Sequence, residues 1–200
     1  MKGNGRQPQA SGPGHLDFLR GFLLRPKEVA SVLPSSPALG ARVAESGAAE
    51  RAAVVVELGP GTGAITRELL RRMPAGSRLI GIERNPHFVR RLRETLRDPR
   101  LTVWAGDAEE IARALAAAGE GQADLVVSGI PFAAMDDRTS RRTLEAVRRA
   151  LPPHGRFVAY QLVSDVRRFA DPLFGPPDVR TVLRNLPPLK VFTWRRQPAA

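Results

Sequence analysis

The sequence contains no cysteine, which removes disulfides, thiolate nucleophiles and zinc–thiolate sites from consideration. Its three histidines, His15, His87 and His154, lie scattered without the spacing that metal ligation needs, so no metal is expected. No apolar run approaches the ~18 residues that cross a bilayer, and no secretory signal precedes the first polar residues. These absences predict a cytoplasmic chain. Acids are in short supply too: 20 Asp and Glu against 31 Lys and Arg leave a formal charge of +11. Such an excess attracts something anionic, either nucleic acid or a membrane surface. A genomic bias towards arginine would explain the choice of arginine over lysine, but not the excess over acids.

What is present is globular, with 42% hydrophobic and 26% charged residues in a 200-residue chain that suits one core. Residues 1–14, MKGNGRQPQASGPG, read as a disordered tail, and 15–200 as a single domain. An amphipathic helix is predicted from Leu16, where Phe18 and Phe22, then Leu19 and Leu23, repeat at i,i+4 beside Arg20, Arg25 and Lys27. Pro34 breaks the chain, and Ser36 can cap a helix opened by Pro37. From there strands and helices alternate. Strands are predicted at AAVVVEL, RLIGIE, LTVWA, ADLVVSG and GRFVAYQL, with helices at 64–73, 86–97, 108–118 and 138–150 between them. Two further strands, 178–185 and 190–195, flank the turn NLPPL. Such alternation implies an α/β fold with a mostly parallel sheet and helices on both faces.

Gly59, Gly61 and Gly63 follow the first strand and precede a helix. In a parallel sheet that is the ligand mouth, where bare backbone and the free N–H groups of a helix start can meet an anionic group. The pattern Gly59-x-Gly61-x-x-Ala64 alone would also fit a dinucleotide site. Acids at successive strand ends decide between the two. Glu57 closes the first strand, Glu83 the second and Asp107 the third. A dinucleotide site needs no acid at the third position. S-adenosylmethionine uses the glycine loop for its methionine end, Glu83 for the ribose hydroxyls and Asp107 for the adenine amine.

The stretches VVVELGPGTG, GIERN, GDAEE and SGIPF resemble the class I S-adenosylmethionine-dependent methyltransferases, with their seven-stranded Rossmann-like sheet. Within that class, FLRGFLLRPKEVASVLPSSPAL, SGIPF and VLRNLPPLKVFTWRR look most like the bacterial phospholipid N-methyltransferases, which methylate phosphatidylethanolamine towards phosphatidylcholine. Ornithine-lipid N-methyltransferases look similar. The resemblance covers residues 16 to 196 and implies a core at 51–200 behind N-terminal membrane or lid helices at 15–50. It implies a cofactor set of Ser35, Ser36, Glu57, Gly59, Gly61, Gly63, Glu83, Arg84, Asp107, Ala108 and Ser128, with S-adenosylhomocysteine as product. The ribosomal RNA adenine dimethylases resemble the same core and would also account for the charge. Their motif reads Asn-Leu/Ile-Pro-Tyr/Phe, however, and here Gly129 replaces the asparagine that orients adenine's exocyclic amine. Their extra RNA-gripping helical domain is not expected either.

A lipid amine has a pKa of about 10 and must lose its proton before it attacks, a cost of about 4 kcal/mol at pH 7. The acceptor site must lower that pKa and align the nitrogen with the methyl group. Carbonyls of Ser128 and Gly129 can hold the amine, with Pro131 and Phe132 shaping its pocket. Tyr160, similar in position to a tyrosine of family members, can cradle the methylated cation with its ring and bind the amine through its hydroxyl. Packing in a strand is the alternative for Tyr160. Phe18, Phe22 and Leu23 at a bilayer interface, with Arg20, Arg25 and Lys27 on lipid phosphate, would attach a monomer to the inner face of the cytoplasmic membrane. The alternative is a helix packed on the sheet. Anionic lipids and phosphatidylethanolamine are the expected partners, and no specific nucleic acid is.

Overall fold

A computed structural model describes residues 36–185 and 187–198 of the chain. The expected tail, the amphipathic helix with Phe18, Arg20, Phe22, Leu23, Arg25 and Lys27, and Ser35 lie outside the described residues. Seven strands form one sheet: β1 (Val54–Leu58), β2 (Arg78–Glu83), β3 (Leu101–Ala105), β4 (Leu125–Ser128), β5 (Arg156–Gln161), β6 (Asp178–Val182) and β7 (Leu189–Arg195). Their order is β3-β2-β1-β4-β5-β7-β6. The first five run parallel, and β7 is antiparallel to both of its neighbours, β5 and β6. The winding reverses between β1 and β4, so the carboxyl ends of these two strands flank the crevice where such sheets bind ligands.

Among the described residues six α-helices cover the faces: α1 (Pro37–Gly47), α2 (Ala64–Arg72), α3 (Pro86–Thr95), α4 (Ile111–Ala117), α5 (Asp137–Ala150) and α6 (Val166–Phe174). The central strands are apolar almost throughout because both of their faces are covered. On one face Leu39 and Val43 of α1 and Ile65 and Leu69 of α2 pack with Val55, Leu125, Val158 and Val191. On the other, α4, α5 and α6 bring Leu115, Leu144 and Phe169 onto Val56, Ile80, Val126 and Phe157. Each fully buried Leu, Val or Phe stabilises the fold by about 1.5–3 kcal/mol relative to exposure.

Local chemistry sets where helices begin. The Ser36 hydroxyl accepts the Leu39 N–H at 3.1 Å with Pro37 in the first turn, as its sequence predicts. Asn85 caps α3 through the His87 N–H, and Asp136 caps α5 through the Thr139 N–H at 2.8 Å. Helix α6 is absent from the expectation, because Pro172 falls inside it. Tertiary bonds hold it. Its Asp171 accepts the Trp194 indole N–H at 3.0 Å, and Arg168 pairs with Asp137 of α5 through two bonds. The predicted helix 108–118 divides into a 3-10 turn at Ala108–Glu110 followed by α4.

Candidate active site

The loop after β1 is built on three left-handed residues: Gly59, Gly61 and Gly63 have φ of +73°, +56° and +80°. Gly61 faces open space, since a Cβ added there would meet nothing within 4 Å. Gly63 then leads into α2 with no side chain to cap it, leaving the first N–H groups of that helix without a side-chain partner. Glu83, at the end of β2, accepts the Gly61 N–H at 3.0 Å on one oxygen and the Asn85 N–H at 2.8 Å on the other. Each carboxylate oxygen keeps a further lone pair for a ligand hydroxyl. Arg84 beside it is exposed. Past β3, exposed Asp107 and half-buried Glu110 cap each other reciprocally around the turn that Ala108 begins, and the Asp107 N–H reaches the Glu110 carboxylate at 3.1 Å. An open glycine face, an uncapped helix start and two strand-end carboxylates fit an adenosine-bearing cation.

Three of the predicted site residues are placed differently. Glu57 is wholly buried and is followed by Leu58 in the strand, so it touches no open surface. It accepts the Thr66 hydroxyl at 2.7 Å, tying β1 to α2, and its other oxygen has no partner among the described residues. Burial pushes its carboxyl up to about 7, with the nearby Glu83 charge adding to the rise and the Thr66 bond opposing it. Phe132 turns into the core beneath α5 and α6 with 2% of its surface exposed, leaving the half-buried Ile130 and Pro131 at the rim. Ser36 is committed through its oxygen to the cap of α1 and through its N–H to the Asn185 carboxamide at 3.0 Å.

The residues expected at the acceptor stand at the ends of β4 and β5. Ser128 is buried in β4 and its hydroxyl accepts the Ile130 N–H at 3.3 Å, which turns the chain at the strand end. Gly129 donates to the Leu58 carbonyl, so the loop after β4 is moored to the end of β1. A side chain at Gly129 would collide with the Tyr160 hydroxyl, its Cβ lying 2.8 Å from the Tyr160 ring carbon Cζ. Tyr160 therefore fills the place a longer residue at 129 would take. Its hydroxyl has no partner among the described residues, and the ring is half-buried on the same face as α1 and α2. Burial, helped by the charges of Glu57 and Glu83, raises its pKa well above the usual phenol range. A neutral phenol offers a hydrogen-bonding hydroxyl and a ring face.

Gln161 went unnoticed in the sequence. Its carboxamide donates to the Ile130 carbonyl at 2.6 Å, fixing the SGIPF loop from the end of β5, and its Oε1 is buried without a partner among the described residues. A polar residue ending a buried strand beside the motif was the available signal.

A family profile described as a methyltransferase domain matches residues 55–155. An ornithine lipid N-methyltransferase from Singulisphaera acidiphila is 35% identical over 187 residues, covering 89% of this chain and 94% of its own length. The chain is a class I S-adenosylmethionine-dependent methyltransferase. The N-methyltransferase NodS from Bradyrhizobium japonicum shares the methyltransferase fold, with a TM-score of 0.64 at 15% identity over 80% of this chain and 94% of its own. NodS has also been solved with S-adenosylhomocysteine. The methyltransferase matches a ribosomal RNA small subunit methyltransferase A from Caulobacter vibrioides at 37% identity over 46% of this chain, which is 33% of that protein. Among the described residues no three side chains group to hold a metal, and no helix is long and apolar enough to cross a membrane.

Proposed function

We propose that this methyltransferase N-methylates the primary amine of a membrane-lipid head group, phosphatidylethanolamine or ornithine lipid, at an anionic membrane surface. The observation that carries the reading is the Tyr160 hydroxyl standing in the space over Gly129. An adenine clamp needs an amide side chain there, and the space is taken. A small aliphatic ammonium needs less: a carbonyl, a neutral phenol and an aromatic face. The Gly129 carbonyl accepts no backbone N–H among the described residues, whereas Ile130's is held by Gln161. That leaves the Gly129 carbonyl and the Tyr160 hydroxyl to orient the amine. Glu83 and Asp107, with the open Gly61 face, hold the cofactor, which supplies an electrophilic methyl group on a positively charged sulfur. Withdrawal of the amine from water beside Tyr160 favours its neutral, nucleophilic form.

The lipid part of the reading is supported by the full-length similarity to an ornithine lipid N-methyltransferase, which also makes ornithine lipid as strong a candidate as phosphatidylethanolamine. Similarity to the ribosomal RNA enzyme stops at under half the chain. Expression in a bacterium that lacks methylated lipids, followed by lipid mass spectrometry, tests the proposal. One, two or three added methyl groups on phosphatidylethanolamine or on ornithine lipid are expected, and the mass of the carrier identifies the substrate. Unchanged lipids together with newly methylated ribosomal adenines would overturn it.

A further inference from the structure

Leu183 is 78% exposed, the most exposed of the large apolar side chains among the described residues; Val163 and Val179 follow at 46% and 40%. Leu183 directly follows β6, in the turn leading to β7, and Val163 lies two residues beyond β5. Strands β5 and β6 both pair with the start of β7, Gln161 and Thr181 with Lys190, and Val182 with Leu189. The two side chains thus stand on either side of the segment Pro187–Pro188, at the edge of the sheet where Tyr160 and Gly129 sit. The turn is not slack. Buried Asn185 accepts the Ser36 N–H at 3.0 Å and donates to the Pro187 carbonyl at 2.9 Å, gripping the turn from beneath. Exposed Arg184 and Lys190 flank the apolar tip and form no ion pair among the described residues.

We infer that this turn, with Leu183 and Val163 as its apolar tip and Arg184 and Lys190 as its cationic shoulders, docks the enzyme on an anionic lipid bilayer. An exposed leucine is unfavourable in water and favourable at the depth of lipid ester groups, while the shoulders reach phosphate. The charge complementarity is with lipid: the shoulders are cationic, and the whole chain carries +11. The choice of a bilayer as partner rests on the lipid-methyltransferase reading; the surface itself does not.

Flotation of the full chain with vesicles of phosphatidylglycerol and phosphatidylethanolamine tests the inference. Leu183→Asp and Arg184→Glu should each weaken binding about tenfold. Val179→Asp, at an exposed position on the edge strand away from the tip, should leave it unaltered. All three variants should bind S-adenosylmethionine as the parent does. Methylation of vesicle lipid should fall with binding, while methylation of a short-chain, monomeric aminolipid should not. Parent-like flotation of Leu183→Asp would overturn the docking surface even where lipid is methylated. Loss of flotation in Leu183→Asp, with no lipid methylated by any variant, would uphold the surface and refute the substrate. A dimer that Leu183→Asp dissolves, with vesicle binding intact, would reassign the tip to a second copy of the chain and refute the bilayer.

Discussion

A carboxyl sealed from water with one hydroxyl donor is easier to keep protonated than to charge, and Glu57 is in that position. Between about pH 4.5, where an unfolded glutamate ionises, and about pH 7, the folded protein holds a proton that the unfolded chain has released. Folding stability contributed by this site therefore falls as pH rises through that window and is level above it. The shift corresponds to about 3 kcal/mol. The other carboxyls with displaced values, Glu68, Asp98 and Asp136, move downward, away from this window. Glu57→Gln keeps an acceptor for Thr66 and cannot ionise. Its thermal midpoint should be nearly level from pH 5 to 7 where the parent's declines, so the variant gains on the parent up to about pH 7 and keeps that gain above it. Parallel curves would show that Glu57 does not titrate there. A second pair also acts jointly. Gly129→Asn should destabilise by about 1–3 kcal/mol through overpacking against Tyr160. Combined with Tyr160→Ala it should do so less than the separate effects sum to, with a coupling of about 1 kcal/mol in denaturant titrations. Additive losses would mean that the two do not share the space. The positions of the glycines, Glu83 and Asp107, in the loop after β1 and past the ends of the strands, were legible in the sequence, because loop and strand-end rules act over a few residues. The mutual exclusion of Gly129 and Tyr160 was not, because 31 positions separate them and only the β4–β5 pairing brings them together.

Among the elements, legibility followed how local the cause was. Strands β1, β2 and β3 announce themselves as short apolar runs, and α1 and α3 through a capping side chain followed by proline. Helix α6 did not, since its proline argues against helix and its support comes from Trp194, Asp137 and Arg148, all outside it. The two C-terminal strands were visible as strands, whereas the placement of β7 between β5 and β6 is a matter of pairing that no single stretch encodes. The same limit hid Asn185, whose work is to join the β6–β7 turn to the start of α1, 149 residues away.

For the molecule as a whole, the positive charge was plain from composition, but its arrangement was not. Many arginines are matched locally: Arg71 and Arg72 with Glu68, Arg113 with Glu110, Arg142 with Glu109 and Arg168 with Asp137. Exposed pairs of this kind contribute about 0–1 kcal/mol each and consume the few acids available. Arg184 and Lys190 have no acidic partner among the described residues. The parallel strands all release their chains at one edge of the sheet, and Leu183 projects from that edge too. Under the proposed docking, that shared edge imposes turn-taking. The doorway for a nucleoside-sized cofactor faces the surface on which the enzyme rests, so spent cofactor leaves when the enzyme tilts or lets go. Each visit would then deliver a single methyl group, and the next would usually fall to a different lipid. With lipid in large excess, singly methylated product should accumulate before any doubly methylated lipid appears in a time course. Fully methylated lipid appearing first, without intermediates, would mean that cofactor is exchanged while the enzyme stays seated.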